Sequence, residues 1–96
     1  MNMELYEIYK VIAEISDGLM DNRIEFTYDR IDGVMGCHPS ESLETILPKI
    51  DWDSHSPDMD KVSEALVELV EFNKYFNIKE LKAPIKKIKK FINNNK

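Results

Sequence analysis

The chain has 96 residues and a mass of 11.2 kDa, a length that fits one domain. With 43% hydrophobic and 32% charged residues, it has the composition of a globular protein and is too apolar for a disordered one. Its single cysteine excludes an intrachain disulfide, and no apolar run reaches the roughly eighteen residues that a membrane span needs. The first residues lack the basic start of a secretory signal. We therefore expect a single domain over 1–96 in the cytoplasm, of the source cell or of a host.

Charge is distributed unevenly along the chain. Residues 1–73 contain 17 acidic and 5 basic residues, a net charge of −12, whereas residues 74–96 contain 8 lysines and 1 acid, a net charge of +7. The acidic body argues against nucleic acid as the main partner and favours a cationic protein. The basic C-terminal segment favours an anionic ligand, but only locally.

The first predicted element is a helix over 3–17. Its apolar residues recur at steps of 3, 4, 3 and 4, which places them on one helical stripe: Leu5, Ile8, Ile12, Ile15 and Leu19. Gly18 follows the helix directly, and glycine is the usual left-handed residue at a helix end. We expect the stripe to be core and the helix to end at Gly18.

Residues 23–35 allow two interpretations. Apolar and polar residues alternate over 23–29, which is the period of a strand, and Asp32-Gly33 is a typical turn before a short return strand over 34–35. Helical spacing also fits three apolar residues of the segment, Ile24, Tyr28 and Ile31. The β-rich composition favours a short hairpin between the first and second helices. Because a lone hairpin is marginal in water, it would have to lie against the helices.

Two further helices are predicted in the middle of the chain. A short one covers 39–47 and is ended by Pro48, which lacks a backbone donor. A polar loop over 51–58 leads to the strongest helix, 57–76, with Ser56 as its candidate N-cap. The apolar face of this helix is wide enough for the centre of a bundle.

The last predicted helix is basic and covers 78–93, with a frayed tail over 94–96. Asn77 and Glu80 have the spacing of a capping box at its start. Pro84 interrupts the apolar stripe, so we expect a kink or a restart of the helix there. Together the elements predict a mainly α fold, a small four-helix bundle with a short β-hairpin between its first two helices.

Motifs for catalysis and metal binding are missing. The chain has no phosphate loop, dinucleotide fingerprint, zinc-protease motif, nucleophile elbow or paired cysteines. Cys37 adjoins His38, but sequence neighbours in a loop rarely face each other, so a structural role is favoured for both. Counted from Asp51, the acidic loop has Ser56 and Val62 where a calcium loop needs Gly and Glu. We therefore expect a protein that is not an enzyme and binds no cofactor or metal.

Two surfaces are candidates for binding a partner. The acidic one surrounds the polar loop and the start of the third helix, and comprises Asp51, Trp52, Asp53, Asp58, Glu64, Glu68 and Glu71. Trp52 is either an aromatic anchor for the partner or a core plug under the loop, and the glutamates are either a docking face or a merely solvated one. The other surface is the basic face of the last helix, Lys82, Lys86, Lys87, Lys89 and Lys90. These lysines either complement the helix dipole and fold back on the acidic body, or bind nucleic acid or anionic lipid.

The leading hypothesis from size, charge and missing motifs is a small acidic protein that binds and neutralises a basic protein, such as a toxin or a nuclease. Immunity proteins, antitoxins and phage-encoded inhibitors act in this way. The alternative is a nucleic-acid-associated regulator that binds through the lysine-rich helix. An enzyme subunit, or an enzyme with unfamiliar chemistry, is the third hypothesis.

Overall fold

The protein is described here by a computed structural model over residues 3–27, 38–52 and 55–94. Within these residues the chain forms four α-helices, two short 3-10 helices and no strand. The helices are α1 (Met3–Met20), α2 (Pro39–Ile46), α3 (Met59–Phe76) and α4 (Lys82–Asn94), and the 3-10 helices are η1 (Leu47–Lys49) and η2 (Lys79–Leu81). The prediction of a mainly α fold is therefore confirmed. None of the described helices is both long and apolar enough to cross a membrane.

The core lies where the four α-helices meet. Both α2 and α4 pack against α1 and against α3, so the four helices surround one apolar centre. The predicted stripe of α1 is buried along its whole length, and Leu5, Ile12 and Leu19 have no exposed surface. The other helices contribute, among others, Leu43, Val62, Leu69, Leu81, Ile88 and Phe91.

The predicted hairpin between α1 and α2 is not supported. Residues 23–27 form no strand, because their backbone donors reach helix ends instead of a neighbouring strand. The Ile24 N–H donates to the Gly18 carbonyl at 3.0 Å, and the Thr27 N–H donates to the Phe76 carbonyl at 2.9 Å. This segment therefore runs from the end of α1 to the end of α3. The rest of the predicted hairpin, over 28–35, lies outside the described residues.

The prediction that Gly18 ends the first helix is wrong. Helix α1 continues to Met20, and the left-handed residue after it is Asn22, with φ of 66°. Gly18 lies buried inside the helix, where a Cβ atom would come within 2.5 Å of the Ile24 Cδ1 atom. The missing side chain thus gives the 23–27 segment room to pack on α1.

The start of α3 also differs from the prediction. The helix begins at Met59, and its N-cap is Asp58 rather than Ser56. The Asp58 carboxylate accepts the Asp60 backbone N–H at 3.0 Å, which satisfies one of the free donors of the first turn. Asp58 is therefore part of the helix cap as well as a member of the predicted acidic surface.

The junction between α3 and α4 has no capping box. Asn77 ends α3 in the left-handed conformation, with φ of 50°, and the Asn73 side chain accepts the Ile78 N–H at 2.8 Å. After η2, α4 begins at Lys82, later than the predicted start at residue 78. Pro84 lies in the first turn of α4, where a backbone N–H has no partner within the helix. Of the two outcomes expected at Pro84, the structure therefore shows a restart.

Candidate functional site

Trp52 is mainly a structural residue. It follows η1 and is only 8% exposed. Its indole Nε1 donates to the Leu47 carbonyl at 2.7 Å, and its ring lies 5.5 Å from the ring of Tyr9. The structure thus agrees with the interpretation of Trp52 as a core plug under the loop. A part in partner binding stays a prediction for this residue, and it requires contact through the small fraction of Trp52 that is exposed.

Trp52 also lines a groove between α1 and η1, which we call the aromatic groove. It has a volume of about 620 Å³ and is lined by Tyr6, Tyr9, Glu44, Leu47, Pro48, Ile50, Asp51 and Trp52. The rings of Tyr6 and Tyr9 stack at 6.0 Å, so three aromatic rings form a row along the groove. Glu44 and Asp51 are exposed and add two carboxylates to it.

The predicted glutamate stripe lies on the side of α3 that faces η1. Lys49 of η1 reaches across to Glu68, with Nζ and Oε1 2.5 Å apart. Glu71 pairs with Lys74 on the same helix at 3.1 Å. Both pairs are well exposed, and such pairs contribute roughly 0–1 kcal/mol to stability. Glu64 is exposed one helical turn before Glu68.

The structure therefore places acids on both sides of η1. The aromatic groove carries Glu44 and Asp51 on the α1 side, and the glutamate stripe lies on the α3 side. We use the name acidic surface for Glu44, Asp51, Asp58, Glu64, Glu68 and Glu71. Asp53, which the sequence analysis also assigned to this surface, lies outside the described residues. Sequence analysis missed Tyr6, Tyr9 and Glu44, although two tyrosines three residues apart beside the apolar stripe of α1 were a usable signal.

A second groove lies between α3 and α4 and is basic. It has a volume of about 600 Å³, and we call it the basic groove; its lining is Val70, Asn73, Lys74, Asn77, Lys82, Ile85, Lys86 and Lys89. Three of the five predicted lysines face it, because steps of four and three residues bring them onto one helical face. Lys87 and Lys90 are exposed but do not line it. None of the five predicted lysines forms an ion pair with an acid of the described residues.

Of the two neighbours Cys37 and His38, the structure describes only His38. His38 is the N-cap of α2: its Nδ1 accepts the Ser40 N–H at 3.2 Å and lies 2.7 Å from the Ser40 hydroxyl. Cys37 lies outside the described residues. Across the described ranges, no three His, Cys, Asp or Glu side chains are grouped so that they could hold a metal ion.

Comparison of the chain with protein-family models, with curated proteins and with solved structures found no match. What is proposed for its function is therefore drawn from the two grooves and the acidic surface.

Proposed function

We propose that the protein is a non-catalytic binding protein whose acidic surface docks on a basic protein and neutralises it, in the manner of immunity proteins, antitoxins and phage-encoded inhibitors. The observation that carries the proposal is the placement of acids on both sides of η1, next to three aromatic rings. Complementary charge speeds encounter and disfavours wrong partners, while aromatic residues contribute most to the energy of protein interfaces.

The placement of the two charges supports the same proposal. The glutamate stripe lies on the η1 side of α3 and the basic groove lies on its α4 side, and the two surfaces meet at the Glu71–Lys74 pair. The α4 lysines therefore do not neutralise the acidic surface. Lys49 of η1 pairs with Glu68 of this surface. Glu44, Asp51 and Glu64 form no ion pair with any of the described residues.

Capture from source-cell lysate, followed by reconstitution, tests the proposal. The wild-type protein is immobilised beside two variants, Glu64→Lys with Glu68→Lys, and Lys82→Gln with Lys86→Gln and Lys89→Gln. The lysate is treated with nuclease, so that nucleic acid cannot bridge two proteins. We expect the wild type and the lysine-to-glutamine variant to retain the same basic protein at low salt and to release it at high salt, and the glutamate-to-lysine variant to retain much less of it.

The captured protein is then purified and its binding is measured directly. Binding that persists in the glutamate-to-lysine variant but is lost in the lysine-to-glutamine variant would contradict the proposal. Each variant is first checked for folding by circular dichroism and by urea denaturation.

The basic groove supports a second candidate function, that of a nucleic-acid-associated regulator. Lys74, Lys82, Lys86 and Lys89 surround the groove, and lysine contacts with phosphates give affinity that falls steeply with salt. No aromatic ring lines this groove, whereas proteins that bind single strands usually stack bases on such rings. For that reason the nucleic-acid-associated regulator is the second candidate function. Binding of a labelled oligonucleotide that is lost in the lysine-to-glutamine variant would raise it to first place.

A further inference from the structure

The aromatic groove has the chemistry of a site for a cation. Tyr6 and Tyr9 are half-buried and line the groove beside the buried Trp52, and the faces of such rings carry negative potential. The Trp52 indole N–H is engaged by the Leu47 carbonyl at 2.7 Å, so it does not serve as a donor for an anion. The faces of the rings therefore attract positive groups.

The charged residues of the groove favour the same ligand. Glu44 and Asp51 are the charged side chains among its lining residues, and both are exposed. The basic groove has nearly the same volume but is lined by four lysines and no acid. The two grooves therefore differ in charge and not in volume. The acids of the aromatic groove favour a cationic ligand, and the lysines of the basic groove favour an anionic one.

The chain itself shows that a cation is accepted next to this row. The Nζ atom of Lys10 lies 5.7 Å from the centre of the Tyr6 ring, within the usual range of a cation–π contact. Lys10 approaches from its own helix, and it is not among the residues that line the groove. The Tyr9 and Trp52 end of the row thus remains for a group from a partner.

We propose that the aromatic groove receives an arginine side chain of the basic partner, with the guanidinium against the half-buried Tyr9 ring, next to Trp52, and bonded to Glu44 or Asp51. Arginine fits better than lysine, because its planar guanidinium stacks on aromatic rings and donates in parallel to a carboxylate. This inference rests on the proposed function, and it identifies the group of the partner that the acidic surface recognises.

The test uses small probes, and Trp52 is a built-in reporter because it is the only tryptophan of the chain. N-acetyl-arginine amide is titrated into the full chain at constant ionic strength, beside N-acetyl-citrulline amide, its neutral isostere. Binding is followed by Trp52 fluorescence and by the NMR signal of the indole N–H. We expect saturation by the arginine probe with a dissociation constant on the order of millimolar, and binding of the citrulline probe weaker by about tenfold or more.

Matched variants assign the effect to the groove. Glu44→Gln with Asp51→Asn removes two acids from the groove, and Glu14→Gln with Asp17→Asn removes two exposed acids from elsewhere on α1. We expect the groove variant to bind the arginine probe about fivefold or more weakly than the wild type, and the control variant to change the dissociation constant less than twofold. Tyr9→Leu, which keeps an apolar side chain and removes the ring, is expected to weaken it as well.

Two results would overturn the inference: citrulline amide binding as tightly as arginine amide, or the control variant losing as much affinity as the groove variant. No response of Trp52 to the arginine probe would overturn it too. In that case the proposed function stands if Glu64→Lys with Glu68→Lys still slows association with the purified basic partner by roughly tenfold. An unchanged association rate in this variant contradicts the proposed function, whatever the probe does in the groove.

Discussion

The aromatic groove and the basic groove have similar volumes, about 620 and 600 Å³, but they are built differently. The aromatic groove is lined by rings that continue into the core, since Trp52 is 8% exposed and hydrogen-bonded to the backbone of η1. The charged rim of the basic groove consists of exposed lysines, three on α4 and Lys74 on α3. We therefore expect substitutions of the ring residues in the aromatic groove to lower stability, and substitutions of the lysines in the basic groove to leave it nearly unchanged.

The largest expected effect is that of Trp52→Ala on stability. The substitution removes a buried ring and its hydrogen bond to Leu47, so we expect a loss of about 3–5 kcal/mol in the free energy of unfolding. In the basic groove, Lys86→Gln with Lys89→Gln should change stability by no more than about 0.5 kcal/mol. Urea denaturation followed by circular dichroism measures both. An unchanged midpoint for Trp52→Ala would show that the two grooves do not differ in this way.

The next largest effect concerns the rate of partner association. Glu64→Lys with Glu68→Lys should slow association with the purified basic partner by roughly tenfold at low salt and reduce its salt dependence, because rim charges act mainly on encounter. The control is Lys82→Gln with Lys86→Gln and Lys89→Gln, which should change the rate less than about twofold. Surface-binding kinetics at two salt concentrations give the comparison. A larger effect of the control would reverse the ranking of the two surfaces.

A smaller effect is expected from the cation that lies within the acidic surface. Lys49→Gln removes the ion pair with Glu68 and should change stability by at most about 1 kcal/mol, because the pair is exposed. It also makes the surface more negative, so association should become about two- to threefold faster at low salt. Lys86→Gln changes the net charge equally but on the basic groove, and should accelerate association less. Equal acceleration would mean that net charge, rather than the acidic surface, steers the partner.

The smallest effect lies outside both surfaces, at the loop that follows α1. A hydrogen bond from the Arg23 guanidinium lowers the pKa of Asp21 from its usual 3.8, and the two groups are 2.7 Å apart. A pKa that is lowered in the folded state adds stability above pH 3.8, and this is lost as the pH falls through the lowered pKa. Arg23→Gln should return the pKa of Asp21 toward its usual value, as measured by NMR titration. The partner's association rate should not change, and a change would extend the acidic surface to this loop.

The helices themselves were largely predictable from the spacing of apolar residues and from residues that begin or end helices, such as proline. The 3, 4, 3, 4 stripe of α1 is the buried face, and Pro48 marks the change from α-helix to 3-10 helix within two residues. Local signals failed where two candidates compete for one role. Asp58 took the cap expected of Ser56, and Asn77 ended α3 instead of starting α4, because the packing of neighbouring helices decides which turn continues.

The candidate site was predictable only in part. The glutamate stripe and the groove-facing lysines follow from helical spacing, which is a local property of the chain. The aromatic groove does not, because Tyr9 and Trp52 are far apart in sequence and their rings meet only in the folded chain. The pairing of Lys49 with Glu68 could not be predicted from residue spacing either, because the two residues belong to different helices.

By itself the sequence determined the helical class, the buried face of each long helix and the uneven distribution of charge, since each depends on residue type and spacing along the chain. Tertiary structure decided what the 23–27 segment becomes, because the helix ends, and not a neighbouring strand, accept its backbone hydrogen bonds. It also decided which charges face one another and where three aromatic rings form a row. These features depend on contacts between residues far apart in the chain, and such contacts exist only after the helices have packed around a common core.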